Sequence, residues 1–159
     1  MQSTRFARGH TFVPADVKAW KAEVRRQLMA YRPERPIKGP IQIIELTYRF
    51  RLPSSTATVD ELCDLFEVIN NRKIEGSTKK QRMEALRQQI ADGAPLPYLA
   101  KADLMDNLNK GLIDCMTGLF WEDDSQIWES AKARKIYGLT DSITIKIKMK
   151  GDAHEAVLL

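Results

Sequence analysis

Residues 142–149, SITIKIKM, alternate strictly between apolar and polar, with Ile143, Ile145, Ile147 and Met149 on one side. A period of two predicts an extended strand, covered on one face and wetted on the other. Residues 41–52, IQIIELTYRFRL, repeat the pattern: Ile44, Leu46, Tyr48, Phe50 and Leu52 share one face, Thr47, Arg49 and Arg51 the other, and Pro53 closes the run. Two one-sided strands need apolar cover. The sequence supplies it as helices. Residues 14–31 place Val17, Trp20, Val24, Leu28 and Tyr31 at helical steps, with Pro14 in the first turn and Pro33 and Pro36 beyond the last. Residues 104–119 carry the most regular stripe: Met105, Leu108, Leu112, Cys115 and Leu119.

Between these segments the chain changes character. Thr58-x-x-Glu61 reads as a capping box opening a helix through Asn70, with Val59, Leu62, Phe66 and Ile69 on its face. A second helix, about 78–91, carries Met83, Leu86 and Ile90 and stops at Gly93 and Pro95. Residues 126–137 read as one strand with Ile127, Ala131, Ala133 and Tyr137 on a face, and the tail from Gly151 reads as frayed. The order helix, strand, helical insert, helix, strand, strand predicts an α/β (α+β-like) fold. It is a small mixed or antiparallel sheet with helices packed on one face. The expected organisation is one domain over 1–150 with a helical insertion at 54–97, followed by a tail at 151–159.

At 159 residues the chain has room for one domain. It contains no apolar run of bilayer length, and its first residues, MQSTRFARGH, lack the core of a secretory signal, so the expected address is cytoplasmic. Cys63 and Cys115 stand far apart without CxxC spacing, which fits a reducing compartment. His10 and His154, the only histidines, sit at opposite ends and supply zinc catalysis poorly. Net charge is +4, unevenly spread: residues 1–53 hold 11 Lys/Arg against 4 Asp/Glu, and residues 101–159 hold 8 against 10. Cations to grip a polyanion and carboxylates to hold a metal suit a phosphate-handling enzyme, and uneven surface charge alone gives the same figures.

On a helix, Asp103, Asp106, Lys110 and Asp114 fall within about 80° of one another, almost opposite the apolar stripe. Glu122, Asp123 and Asp124 follow at the mouth of the next strand. Magnesium takes hard oxygen ligands, commonly one or two carboxylates with water and substrate phosphate. A nearby ammonium stabilises charge developing on a scissile phosphate. The same residues also describe a solvated helix face with an i,i+4 Asp106–Lys110 pair, followed by ordinary turn chemistry. A nucleotide phosphohydrolase is disfavoured, because no GxxxxGK[ST] loop is present.

The stretch KADLMDNLNKGLIDCMTGLFWEDDSQIWE resembles the core motif of the RusA family of Holliday-junction resolvases, often prophage-encoded. That motif runs Lys-Pro-Asp-x-Asp-Asn-Leu, a Lys three residues after the Asn, an Asp, and an aromatic-x-Asp-Asp-Ser/Ala-Gln. Asp106-Asn107-Leu108, Lys110, Asp114, Trp121, Asp123-Asp124 and Ser125-Gln126-Ile127 stand in those places. RFARGHTFVPADVKAWKAEVRRQL resembles the family's arginine-rich lead-in to its first helix, and Gly39-Pro40 its approach to a strand. The resemblance covers most of the chain outside 54–97. It implies a homodimeric endodeoxyribonuclease that binds four-way DNA junctions and nicks two strands symmetrically with Mg²⁺ or Mn²⁺, in recombination and repair. It also implies metal-binding Asp103, Asp106 and Asp124, with Asp123 adjacent, and a catalytic Lys110. Where the family separates its paired aspartates by one residue, Leu104 and Met105 both intervene, and Ala102 stands for the usual proline. Either the chain bulges before the helix, or Asp103 caps it. In the second case a junction-binding protein of the same fold with impaired cleavage is the alternative function.

The remaining basic residues divide by position. Arg5, Arg8 and His10 are candidates for phosphate contact near the scissile bond, as against a solvated N-terminal segment. Lys18, Lys21 and Arg25 on the polar face of the first helix, and Arg49 and Arg51 on the strand, are candidates for the same role or for solubility. Phe120 and Trp121 are expected in the core.

Overall fold

The computed structural model describes residues 5–7, 10–12, 15–100, 108–130, 133–149 and 153–158. In chain order these form β1 (Arg5–Ala7), β2 (His10–Phe12), α1 (Ala15–Leu28), β3 (Ile41–Arg51), α2 (Val59–Asn70), α3 (Lys79–Ala91), α4 (Lys110–Met116), β4 (Ile127–Ser130), β5 (Ala133–Gly138), β6 (Ser142–Lys148) and β7 (Ala153–Leu158). β1 and β2 pair antiparallel, with Phe6 opposite Thr11. The larger sheet is open and mixed, in the order β4-β3-β6-β7, and β5 also pairs with β3. The α+β class read from the sequence is the class observed. The chain divides into two compact units. One comprises Met1–Leu46, Ala100–Arg134 and Thr144–Leu159, the other Thr47–Leu99 and Lys135–Ile143.

In the first unit α1 buries Val17, Val24 and Leu28, as its spacing predicts. It stops at Leu28, where Ala30 and Tyr31 donate back to the carbonyls of Gln27 and Leu28 in a closing turn before Pro33. Tyr31 therefore leaves the stripe and is exposed. β4 runs parallel to β3, Ile41 opposite Ile127 and Ile43 opposite Ser130, with a bulge between Ile41 and Gln42. Ile41 and Ile43 are fully buried, although they belong to the opposite parity from Leu46 and Tyr48, which are buried too. β3 is an interior strand of its sheet, and an interior strand covered on both faces does not keep simple alternation. β6 likewise buries Thr144 beside Ile145 and Ile147.

The segment 126–137, read as a strand, opens with a 3-10 turn at Asp124–Gln126 and is extended as β4 and β5, with 131–132 outside the described residues. Two further expectations are corrected. α4 ends at Met116 rather than Leu119. Gly118 turns to φ +80°, and the N–H groups of Leu119 and Phe120 return to the Met116 carbonyl at 3.0 and 2.8 Å, which satisfies an end that a helix leaves open. The tail is β7, paired with β6, so that edge of β6 does not present a row of unpaired backbone groups.

The second unit contains the helical segment read as an insertion, together with parts of β3, β5 and β6. Its core is Leu52, Val59, Leu62, Cys63, Phe66, Met83, Leu86 and Leu96, with Leu65, Ile74, Ile90 and Tyr137 against it. The Thr58 side chain makes no cap bond. Thr78 does: its hydroxyl accepts from the Gln81 N–H at 3.1 Å, and the Gln81 side chain accepts from the Ser77 N–H at 3.0 Å. On α2 the apolar face turns to include Cys63 in place of Ile69, which is 46 % exposed, and Val68 is 78 % exposed. Asn71 ends α2 at φ +52°, and the Asn70 amide donates to the Phe66 and Pro95 carbonyls at 3.1 and 2.9 Å. Phe50 stacks on Tyr98 at 4.0 Å between ring centroids, and Tyr137 meets Tyr98 edge-on.

Phe66→Ala leaves a cavity in this core and is expected to cost about 3–5 kcal/mol in chemical denaturation. Val68→Ala, two residues along the same helix, is expected to stay within about 0.5 kcal/mol of the parent. Equal losses would place the core elsewhere.

Candidate active site

α4 presents one exposed face. Gly111, Leu112, Cys115 and Met116 are buried, while Lys110 and Asp114, four residues apart, lie on the exposed side. The helix is introduced by a π-helical turn at Leu108 and Asn109, a geometry frequent at functional sites. α1 holds the opposite end. Lys21 Nζ lies 2.6 Å from Asp114 Oδ2, and the Arg25 guanidinium donates to the carbonyls of Cys115 and Thr117 at 3.0 and 3.3 Å. Arg25 thus caps the negative end of α4. The Cys115 thiol lies in this seam, 3.6 Å from the Lys21 carbonyl, and burial pushes it up to about 11.

From α4 the chain reaches the acidic turn through a tightly bonded loop. Gly118 N–H donates to the Trp121 carbonyl at 2.7 Å, and the fully buried Trp121 donates its indole N–H to the Thr117 hydroxyl at 3.1 Å. Ile37 N–H donates to the Phe120 carbonyl at 2.7 Å. Phe120 and Trp121 are core, as expected. Gln126 then fixes the acidic residues. Its Oε1 accepts from the N–H groups of Glu122 and Asp123, both at 2.9 Å, and its Nε2 donates to the carbonyls of Ile37 and Gly39 at 2.9 and 3.0 Å. Every donor and acceptor position of the amide is used. Asp123 completes a capping box: its Oδ1 accepts from the Ser125 N–H at 2.9 Å, and hydrogen bonding from the Ser125 side chain and then its backbone lowers the Asp123 pKa. Asp124 is left exposed in the first turn, its carboxylate in no hydrogen bond or ion pair among the described residues.

The predicted site residues therefore fall into groups. Lys110, Asp123 and Asp124 lie on α4 and on the clamped turn that follows it, all in the first unit. Lys110 and Lys18 are exposed, with no ion pair among the described residues. Lys21 and Arg25 are engaged with α4. Arg26, on the same helix, is held by Glu23 through bonds of 2.9 and 2.6 Å, which pull the Glu23 carboxyl down to about 2. In the second unit Arg49 is half-buried and Arg51 exposed, the Arg51 N–H donating to Asp141 at 2.8 Å. Arg5 lies in β1 and His10 in β2. Asp103, Asp106 and Arg8 lie outside the described residues. Among the described residues no three His, Cys, Asp or Glu side chains gather as a metal group. Gln126, present in the motif but given no role there, is the residue that positions the turn. Its signal was present as Asp123-x-x-Gln126, the spacing of a capping box.

Gln126→Glu tests the clamp. A carboxylate oxygen in place of Nε2 faces two carbonyls, and the expected loss is about 1–3 kcal/mol in chemical denaturation. Parental stability in this isosteric variant would contradict the bonding described.

The family model of the endodeoxyribonuclease RusA matches residues 65–148. No curated protein and no solved structure matches the chain. The match contains Lys110, the clamped turn and Asp124, and it also runs through 65–97, which the quoted motifs leave out. It leaves out the arginine-rich lead-in. With more than half of its length matched, and with the acidic turn and lysine-bearing helix placed inside that match, the chain belongs to the RusA endodeoxyribonuclease family.

Proposed function

We propose that this protein resolves four-way DNA junctions by paired, symmetric nicks and depends on a divalent metal, Mg²⁺ or Mn²⁺, to do so. The observation that carries the reading is Asp124: an exposed carboxylate, uncommitted among the described residues, on a turn fixed by four bonds from Gln126, inside the family match. The donors fit the ion. Asp124 offers hard oxygens, and the Asp123 Oδ2 lies outside the backbone bond that its Oδ1 accepts from Ser125. Magnesium commonly takes one or two protein carboxylates and completes its shell with water and phosphate.

In this reading Asp106 and Asp124 hold the ion, Asp123 stands beside them, and Asp103 either assists or caps the helix. The ion supplies, when bound, a water acidic enough to attack a phosphodiester near neutral pH. Lys110 places its ammonium against the scissile phosphate and offsets the charge that grows there. Lys18, Arg5, Arg8 and His10 contact the DNA backbone and read its shape rather than its bases, and Arg49 and Arg51 are each candidates for the same kind of contact. Two coordinated cuts call for two copies of the site, and a two-fold homodimer provides them. Free, buried Cys63 and Cys115 accord with a reducing, cytoplasmic setting. No helix among the described residues is long and apolar enough to cross a membrane.

A labelled four-way junction with Mg²⁺ tests this. The parent is expected to nick it symmetrically, while Asp106→Asn, Asp124→Asn and Lys110→Met each lose about 100-fold or more in rate and keep most of their junction affinity. Equal cutting by all four would overturn the assignment. Binding by the parent without nicks would instead identify a junction-binding protein that has lost cleavage.

A further inference from the structure

We infer that Lys21 is a positioning residue that keeps Asp114 from neutralising Lys110. The inference rests on the role of Lys110 proposed above. Lys110 and Asp114 are opposite charges four residues apart on the one exposed face of α4, the spacing at which helical side chains pair. They do not pair here. Asp114 Oδ2 lies 2.6 Å from Lys21 Nζ on α1, and Lys110 has no hydrogen bond or ion pair among the described residues. The Lys21–Asp114 contact is about one-third exposed on each side, 31 % and 40 %. Such a pair is weak, yet enough to bias the Asp114 side chain toward α1 beside the closed seam. Around it the seam is closed by Arg25 on the Cys115 and Thr117 carbonyls and by the Cys115 thiol on the Lys21 carbonyl. Asp114 is thereby drawn toward α1 and does not neutralise the Lys110 ammonium. Lys21 acts through Asp114 and touches no DNA.

Two readouts test this, one of which needs neither DNA nor metal. In Lys21→Met, Asp114 is released to Lys110, and acetylation of the Lys110 amine, followed by mass spectrometry on the free protein, is expected to slow about two-fold, the size of an i,i+4 pair. Junction nicking falls by a similar factor. Lys21→Met/Asp114→Asn restores both, and Lys21→Arg keeps both near the parent. Unchanged Lys110 labelling in Lys21→Met overturns the inference. So does a double variant that nicks as slowly as the single one, the result expected if Lys21 grips DNA directly or only supports the fold. If labelling moves as expected and the parent does not nick a junction, the positioning stands and the proposed function fails.

Discussion

One side-chain amide organises the acidic end of this protein. Gln126 joins two N–H groups of the 122–123 turn to two carbonyls of the 37–39 loop, with no bonding capacity left over. Acceptor meets donors and donors meet acceptors, so the amide has a single orientation. The capping box of Asp123 depends on that clamp, and the exposure of Asp124 follows from it. Asp123 serves the turn, and its neighbour Asp124 stays exposed beside it. Two adjacent aspartates thus have different environments on one short turn.

A second constraint acts on α4. A helix of seven residues has little stability of its own. Its buried side packs through Leu112, Cys115 and Met116, while α1 supplies a salt bridge to Asp114 and two hydrogen bonds to its last carbonyls. Two cations read as candidates for DNA contact have partners within the protein, Lys21 in Asp114 and Arg25 in the last carbonyls of α4, and Arg26 on the same helix is held by Glu23. Basic charge on α1 is therefore partly structural, and the surface left for a polyanion is smaller than the composition suggests. Family membership and site geometry meet in one segment, since the matched residues include α4 and the acidic turn.

Much of the fold was legible because periodicity reports burial. Val17, Val24 and Leu28 in α1, Phe66 and Leu86 in the helical pair, and Ile145 and Ile147 in β6 are buried where their spacing places them. What was illegible depends on distant partners. β7 has no strong pattern of its own and exists as the neighbour of β6. Ile41 and Ile43 are buried against the parity of the rest of β3, because an interior strand is covered on both faces. Thr58 has the letters of a cap without the bond, whereas Thr78 makes it. In the candidate site, the motif named Lys110 and Asp124, which lie on α4 and on the clamped turn. The Lys21–Asp114 pair was not legible, since its partners stand 93 residues apart and nothing local couples them.

In the proposed metal site, carboxylates of Asp103 and Asp106 and of the Gln126-clamped turn share one cation. Paramagnetic broadening reports this without any reaction. In an amide NMR titration with Mn²⁺ well below one equivalent, signals from residues 103–110 and from residues 122–126 are expected to broaden together, and Asp124→Asn to weaken both. Broadening confined to one of the two segments, or spread diffusely over the acidic surface, would contradict the account.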